Sequence, residues 1–177
     1  MKKGGVGGVN TKTGLYFEGK VDFLIFIKKQ NNYSVKGSEI FYKGKSVAFS
    51  FKKNELYKYL EKNGIDYKKY ISARLLPDDA IYVIINNTMF ILEIKFQNVA
   101  GSTDEKLQTC DFKIKQYRKL LSELNVEVNF IYILSDWFKD PSYKDVLDYI
   151  ISIKGCYYYF NYLPLQKIGL PTPTSNV

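Results

Sequence analysis

The sequence predicts an α/β fold in which a central mixed β-sheet is flanked by helices. Three observations predict it. Short β-prone runs occupy the first half of the chain, helical patterns alternate with strands in the second half, and 177 residues suit one buried core. Residues 15–163 are assigned to a single domain. Residues 1–14 are Gly-rich and predicted to be flexible, and residues 164–177, rich in Pro and Thr, are predicted to form an extended tail.

The first half of the chain contains an apolar run, a hairpin and a helix. A short helix is predicted from Leu15 into the apolar run that follows, although a strand fits that run equally well. Residues 39–51 form two β-prone runs that meet at Lys43-Gly44-Lys45, a pattern typical of a hairpin. Residues 53–63 have apolar side chains at helical spacing, and Gly64 marks the end of that helix.

A second hairpin is predicted at the centre of the chain. Asp78 and Asp79 open the strand AIYVII, Asn86-Asn87 supplies the turn, and MFILEIK returns as the second strand. A polar loop follows, and then a helix over KLQTCDFKIKQYRKLLSEL. The strand EVNFIYIL, a helix over 143–154 and the aromatic strand CYYYF complete the predicted order.

The charge of the chain favours a polyanionic partner. The formal net charge is +8 and the sequence pI is about 9.2. Lys and Arg release condensed counterions when they neutralise phosphates, so nucleic acid is the favoured partner. The alternative is a lysine-rich composition with an ordinary solvated surface.

The residue types that are absent exclude several kinds of catalysis. The sequence contains no histidine, which rules out a Ser-His-Asp triad, a Cys-His pair and His-based zinc sites. Cys110 and Cys156 are expected to be free thiols. No apolar run reaches the ~20 residues that span a bilayer, and the first residues lack the pattern of a signal peptide. We therefore expect a cytoplasmic protein with no membrane partner.

Two carboxylates and one ammonium group are predicted to meet at the open end of the central hairpin. Glu93 and Lys95 are two residues apart on one strand, so their side chains leave the same face. Asp78 begins the preceding strand, which the turn folds back beside Glu93. Strand alternation alone does not decide whether Asp78 or Asp79 faces this point; Asp78 is favoured because it directly follows Pro77.

This combination suits phosphodiester hydrolysis. Two carboxylates can hold a Mg²⁺ ion that keeps several waters, and such an ion activates water and stabilises charge on a phosphate. Lys95 can orient the attacking water or take its proton. The plain structural reading is a charged edge strand beside an ordinary Pro-Asp turn. These charges, however, interrupt the most apolar stretch of the chain, which favours a functional site.

Pro77-Asp78, followed after fourteen residues by Glu93-Ile94-Lys95, resembles the signature of the PD-(D/E)xK nucleases, above all type II restriction endonucleases. NTKTGLYFE, LEIKFQ running into GSTDEKLQTCDFKIKQYRKL, and LSDWF resemble small restriction enzymes of this superfamily. The resemblance implies a restriction-endonuclease-like core, with Asp78 and Glu93 as Mg²⁺ ligands and Lys95 as the catalytic lysine. It also implies an acidic site residue at Glu18 and a phosphate or metal-water contact at Gln97.

The predicted partner is double-stranded DNA cut at a specific sequence. A C2 homodimer matches a palindromic site, and the family resemblance implies a cognate DNA methyltransferase in the same system. A structure-specific or repair nuclease of the same fold and a non-catalytic DNA-binding module stay open as alternatives. The residues predicted to contact DNA are Lys12, Ser102, Lys106, Gln108 and Lys113.

Overall fold

A seven-stranded mixed sheet is the central element of the structure, a computed structural model that describes residues 14–16, 22–97 and 103–173. Its strands, β2 to β8, follow one another across the sheet in chain order, and β1 and β9 form a separate antiparallel pair. In chain order the strands are β1 (Gly14–Tyr16), β2 (Tyr33–Lys36), β3 (Glu39–Tyr42), β4 (Lys45–Phe51), β5 (Asp79–Val83), β6 (Thr88–Lys95), β7 (Glu127–Leu134), β8 (Cys156–Phe160) and β9 (Tyr162–Pro164). The predicted α/β class is confirmed.

The sheet is antiparallel in its first half and parallel in its second. Strands β2 to β6 pair antiparallel in sequence, whereas β6–β7 and β7–β8 pair parallel. Residues 84–87 connect β5 to β6, and Asn87 has a positive φ of 49°, which Asn tolerates better than most residues. Both predicted hairpins, 39–51 and the central one, are confirmed; strand β2 was not predicted.

Helices cover both sides of the sheet. They are α1 (Phe23–Lys28), α2 (Glu55–Lys62), α3 (Thr103–Leu107), α4 (Cys110–Leu120) and α5 (Lys144–Ser152). Helices α3 and α4 lie in the crossover between β6 and β7, and α5 lies in the crossover between β7 and β8. Parallel neighbours need such crossovers because the end of one strand and the start of the next lie at opposite ends of the sheet, so the chain must return along its length.

Each side of the sheet has its own apolar cluster. On the side that we call the α4 side, α2, α4 and α5 contribute Leu60, Ile114 and Ile150. On the opposite side, the α1 side, α1 packs with residues that follow β8, including Leu163 and Ile168. Residues 89–92 of β6 are all buried because alternate side chains enter the two clusters.

The first described segments differ from the sequence prediction. Leu15 lies in strand β1, which pairs with β9, and not in a helix. The helix of this region, α1, begins at Phe23, where Asp22 caps it by accepting hydrogen bonds from the amides of Leu24 and Ile25. Pairing with a strand near the other end of the chain decides the structure at Leu15, and no local pattern reports such a partner.

Two later predictions also need correction. The helix predicted over 106–124 is interrupted at Gln108-Thr109, between α3 and α4. The predicted extended tail folds back at residues 165–168 as a short 3₁₀ helix. Leu170 is buried on the α1 side, because apolar side chains in this segment complete the cluster there. Residues 174–177 lie outside the described residues, as do residues 1–13 of the predicted flexible terminus.

Within the described ranges, every helix is too short or too polar to cross a membrane.

Candidate active site

At the open end of the β5–β6 hairpin the antiparallel ladder stops at the pair Asp79 and Leu92, and Asp78 is the residue just before β5. Leu92 belongs to the cluster on the α1 side, and opposed residues of an antiparallel pair leave the same face of the sheet. Asp79 therefore lies on the α1 side, whereas Glu93, the next residue of β6, lies on the α4 side.

The Asp78 side chain is anchored to the neighbouring strand. Its Oδ2 accepts a hydrogen bond of 2.8 Å from the amide of Ile94, while the residue as a whole is exposed. Both carboxylates are close enough to act on the phenol of Tyr117 in α4. Burial raises the pKa of Tyr117, and the negative charges of Glu93 and Asp78 raise it further. The structure thus brings Asp78, rather than Asp79, to the Glu93 side of the sheet.

Asp79 occupies a different environment. It is 5% exposed, and its Oδ1 accepts a hydrogen bond of 2.7 Å from the Ser50 hydroxyl on β4. Burial raises the pKa of Asp79 to about 7, although the Ser50 hydrogen bond and the nearby Lys52 ammonium lower it. This carboxyl is a buried polar group of the α1 side.

Glu93 is held by two ammonium groups. Lys113 Nζ lies 2.6 Å from Oε1 and 2.7 Å from Oε2, and Lys95 Nζ lies 2.9 Å from Oε2. Glu93 is only 8% exposed, so its charge needs close partners to be tolerated. Lys95 reaches it along its own strand, as alternation predicts, whereas Lys113 reaches it from α4.

Helical periodicity explains why Lys113 faces inward. Cys110, Ile114 and Tyr117 of α4 are buried against the sheet, and Lys113 lies on the same face, three residues after Cys110 and four before Tyr117. Its ammonium lies 5.9 Å from the ring centroid of Phe130 on β7. Lys113 is predicted from the sequence as a DNA contact, whereas its pairing with Glu93 is not predicted.

Gln97 continues the chain beyond Lys95 and is also buried. Its amide donates to the Ser135 hydroxyl and its carbonyl accepts from it, both at 3.2 Å. Within the described part of the chain, the side-chain Nε2 and Oε1 of Gln97 are buried without a hydrogen-bond partner. A buried amide left in this state costs about 1–3 kcal/mol. Gln97 therefore has unused hydrogen-bonding capacity two residues beyond Lys95.

The donor set can be tested against Mg²⁺. Among the described residues, no three His, Cys, Asp or Glu side chains form a group that could hold a metal ion. Asp78 and Glu93 nevertheless supply hard carboxylate oxygens, and Mg²⁺ commonly uses one or two carboxylates while it keeps several waters. These two residues fit such an ion, on the condition that Glu93 gives up at least one of its two ammonium partners.

Some predicted site residues do not meet at this point. Lys106 and Gln108 are exposed where α3 ends and α4 begins. Glu18, Lys12 and Ser102 lie outside the described residues. The sequence contains a signal for the missed pairing of Lys113 with Glu93: Lys113 shares the buried stripe of α4, where an unpaired charge is not expected.

The cysteines take no part in the site. Cys110 and Cys156 are free thiols, as predicted, and both are buried in the core of the α4 side.

Fold and site together define an α/β domain whose central hairpin ends in a cluster of two carboxylates and two lysines. Comparison with protein-family models, curated proteins and solved structures finds no match to this chain.

Proposed function

We propose that this chain is a Mg²⁺-dependent endonuclease that hydrolyses phosphodiester bonds in double-stranded DNA at a specific sequence. One observation carries the proposal: at the open end of the central hairpin, Asp78 bonds the amide of Ile94, between Glu93 and Lys95, which are themselves ion-paired at 2.9 Å. This is the arrangement that the PD-(D/E)xK-like signature calls for. The core of such a protein would be restriction-endonuclease-like.

The residues of the site have separate tasks under this proposal. Asp78 and Glu93 bind the cation, and the amide of Ile94 fixes the orientation of the Asp78 carboxylate. A bound Mg²⁺ supplies Lewis-acid stabilisation of the phosphate and a more acidic water. Lys95, as an ammonium group, orients the attacking water by donating a hydrogen bond to it, and its charge offsets negative charge that develops on the phosphate. The buried amide of Gln97 is available to hydrogen-bond a phosphate oxygen or a water.

The partner follows from charge. The net charge of +8 supports binding to a polyanion, and exposed Lys106 and Gln108 lie on the crossover that leaves the catalytic strand. Lys12, Ser102 and Lys113 complete the proposed DNA contacts. We also propose that the protein acts in the cytoplasm beside a cognate DNA methyltransferase.

A C2 homodimer is proposed because one chain carries one site, while a palindrome has two strands to cut. Sedimentation velocity is expected to show a dimer in the presence of duplex DNA. A monomer both with and without DNA would contradict the proposed assembly but not the chemistry.

The first test is cleavage of unmethylated phage DNA with Mg²⁺, compared with an EDTA control. Discrete fragments are expected from the wild-type chain and none from Lys95→Ala. The matched control is Lys115→Ala, which removes an exposed α4 lysine that pairs with Asp111 on the helix surface. This variant is expected to cut like wild type.

The same assay separates the alternatives. Selective cutting of branched DNA would favour a structure-specific nuclease of the same fold. DNA binding that ignores Mg²⁺, with no cleavage of any substrate, would favour a non-catalytic module. Cleavage that survives Lys95→Ala would contradict the assigned site.

A further inference from the structure

Glu93 is paired with two lysines, one more than the PD-(D/E)xK-like trio contains. Lys113 contacts both carboxylate oxygens, at 2.6 and 2.7 Å, whereas Lys95 contacts one, at 2.9 Å. The additional lysine is therefore the closer partner of the carboxylate. It comes from α4, twenty residues further along the chain.

The position of Lys113 is specific rather than incidental. Its side chain is 22% exposed, compared with 66% for Lys115 on the same helix. Buried Cys110, Ile114 and Tyr117 fix the helix face that carries it. A lysine at this depth loses hydration, so it needs a stable anionic partner. The partner that it has, Glu93, is the residue that must also bind the cation.

The charges of the site balance before any ion is added. Among the described residues, Asp78 and Glu93 carry two negative charges, and Lys95 and Lys113 carry two positive ones. A divalent cation that joins this set meets two ammonium groups at the carboxylate it requires. Like charges that share one carboxylate repel each other, so ion binding is weakened until an ammonium group moves away from Glu93. A DNA phosphate is an anion to which such a group can move.

We propose that Lys113 is a positioning residue that couples ion binding to DNA binding. It neutralises Glu93 while no divalent cation is present, and it binds a DNA phosphate when Glu93 turns to the cation. This inference rests on the proposed nuclease function for its phosphate partner but not for its competition at Glu93. Lys113 therefore weakens ion binding in the free protein and strengthens binding of the ion and DNA together.

The test begins with the protein alone, without DNA. Calorimetric titration with Mn²⁺, an oxygen-binding ion of the same class as Mg²⁺, compares wild type, Lys113→Met, Lys113→Arg and the matched surface control Lys115→Met. We expect Lys113→Met to bind Mn²⁺ about tenfold more tightly than wild type. Lys113→Arg retains the charge and is expected to bind Mn²⁺ as weakly as wild type does, and Lys115→Met is expected to match wild type.

The second measurement is the salt dependence of binding to a duplex that is not cut. With a divalent cation present, Lys113→Met is expected to reduce the slope of log Kobs against log[salt] by about one phosphate contact. Without a divalent cation, its slope is expected to equal that of wild type. Lys113→Arg is expected to keep the wild-type slope in both conditions, because guanidinium also binds phosphate.

The outcomes separate this inference from the proposed function. Unchanged or weaker Mn²⁺ binding by Lys113→Met, with a circular dichroism spectrum like that of wild type, overturns competition at Glu93 even if wild type cuts DNA. Tighter Mn²⁺ binding with no cleavage of any DNA by wild type supports competition and overturns the nuclease. If Lys113→Met does not fold, tighter binding by Lys113→Gln supports competition at Glu93, and unchanged or weaker binding overturns it.

Discussion

Asp78 and Asp79 are chemically identical neighbours with opposite environments. Asp78 is exposed on the α4 side, where its charge acts on Tyr117 and its carboxylate accepts from the Ile94 amide. Asp79 is 5% exposed on the α1 side and bonded to the Ser50 hydroxyl. Asp79 is the first residue of β5 and Asp78 comes just before it, so their side chains leave opposite faces, and each is held there by its own hydrogen bond. One carboxylate is available to a ligand, and the other is part of the packed interior.

The ion pairs near the two aspartates also differ in solvent exposure. On the α4 side, Lys113 pairs with a Glu93 side chain that is only 10% exposed. On the α1 side, Lys52 pairs with Asp22, and their side chains are 35% and 31% exposed. Solvent screens the second pair far more than the first. A change of charge is therefore expected to affect function on the α4 side and, modestly, stability on the α1 side.

The largest expected effect is the contrast between Asp78→Asn and Asp79→Asn in DNA cleavage. Asp78→Asn removes a carboxylate from the proposed cation site, and we expect the cleavage rate to fall at least about 100-fold. Stability should change little, because the Asn oxygen can still accept from Ile94. Asp79→Asn is expected to cut at a rate within about threefold of wild type at pH 7. The reverse ranking would make Asp79 the ligand.

The second expected effect is a pH dependence that belongs to Asp79. Its folded pKa is raised to about 7 from 3.8, so the folded protein holds this proton more tightly than the unfolded chain. The free energy of unfolding is therefore expected to fall as the pH rises from about 4 to about 7. The loss is at most about 4 kcal/mol if Asp79 acts alone.

Urea unfolding across this pH range is the measurement for Asp79. Asp79→Asn cannot titrate, so its stability curve should lack this component and should approach or exceed wild type above pH 7. Equal pH slopes for wild type and Asp79→Asn would show that Asp79 titrates normally in the folded protein.

The elements that local patterns encode were predicted well. The Asn86-Asn87 turn with its flanking strands, and the apolar spacing of α2 ended by Gly64 at a φ of 76°, depend on neighbouring residues only. Glu93 and Lys95 could be placed on one face for the same reason. Strand β7 was predicted at residues 127–134, where the structure has it, because its apolar run is continuous.

The features that were missed depend on distant partners. Leu15 forms a strand because Leu163 pairs with it, and the hydroxyl of Tyr33 bonds to the carbonyl of Pro171 in the segment predicted to be an extended tail. Lys113 meets Glu93 because the crossover from β6 to β7 folds α4 over the sheet. Sequence periodicity shows which face of an element is buried, but it does not identify the residue on the other side of the contact.

A third, smaller effect tests the hydrogen bond that makes Asp79 a structural residue. Ser50→Ala leaves the buried Asp79 carboxyl without its 2.7 Å partner, and we expect a loss of about 1–3 kcal/mol in unfolding free energy. The Ser50 hydroxyl also lowers the Asp79 pKa, so the pH window of the variant should move upward.

Ser46→Ala on the same strand is the matched control for Ser50→Ala. Its hydroxyl is buried without a partner among the described residues, so its removal is expected to be neutral or stabilising. If both variants lose the same stability, the Ser50–Asp79 bond contributes nothing specific.

The smallest expected effect concerns the exposed ion pair of the α1 side. Lys52→Met breaks the contact with Asp22, and we expect a loss of less than about 1 kcal/mol in low salt. High salt should remove most of that difference, because both side chains are about one-third exposed. Asp22 still caps α1 through the amides of Leu24 and Ile25, so the helix itself is retained.

Lys58→Met, an exposed change on α2, is the control for losing one positive charge. A loss from Lys52→Met that persists in high salt would mean that this pair is coupled to the buried Asp79 carboxyl rather than screened by solvent. In that case the ion pairs on both sides of the sheet would be protected from solvent screening, and the two sides would differ only in function.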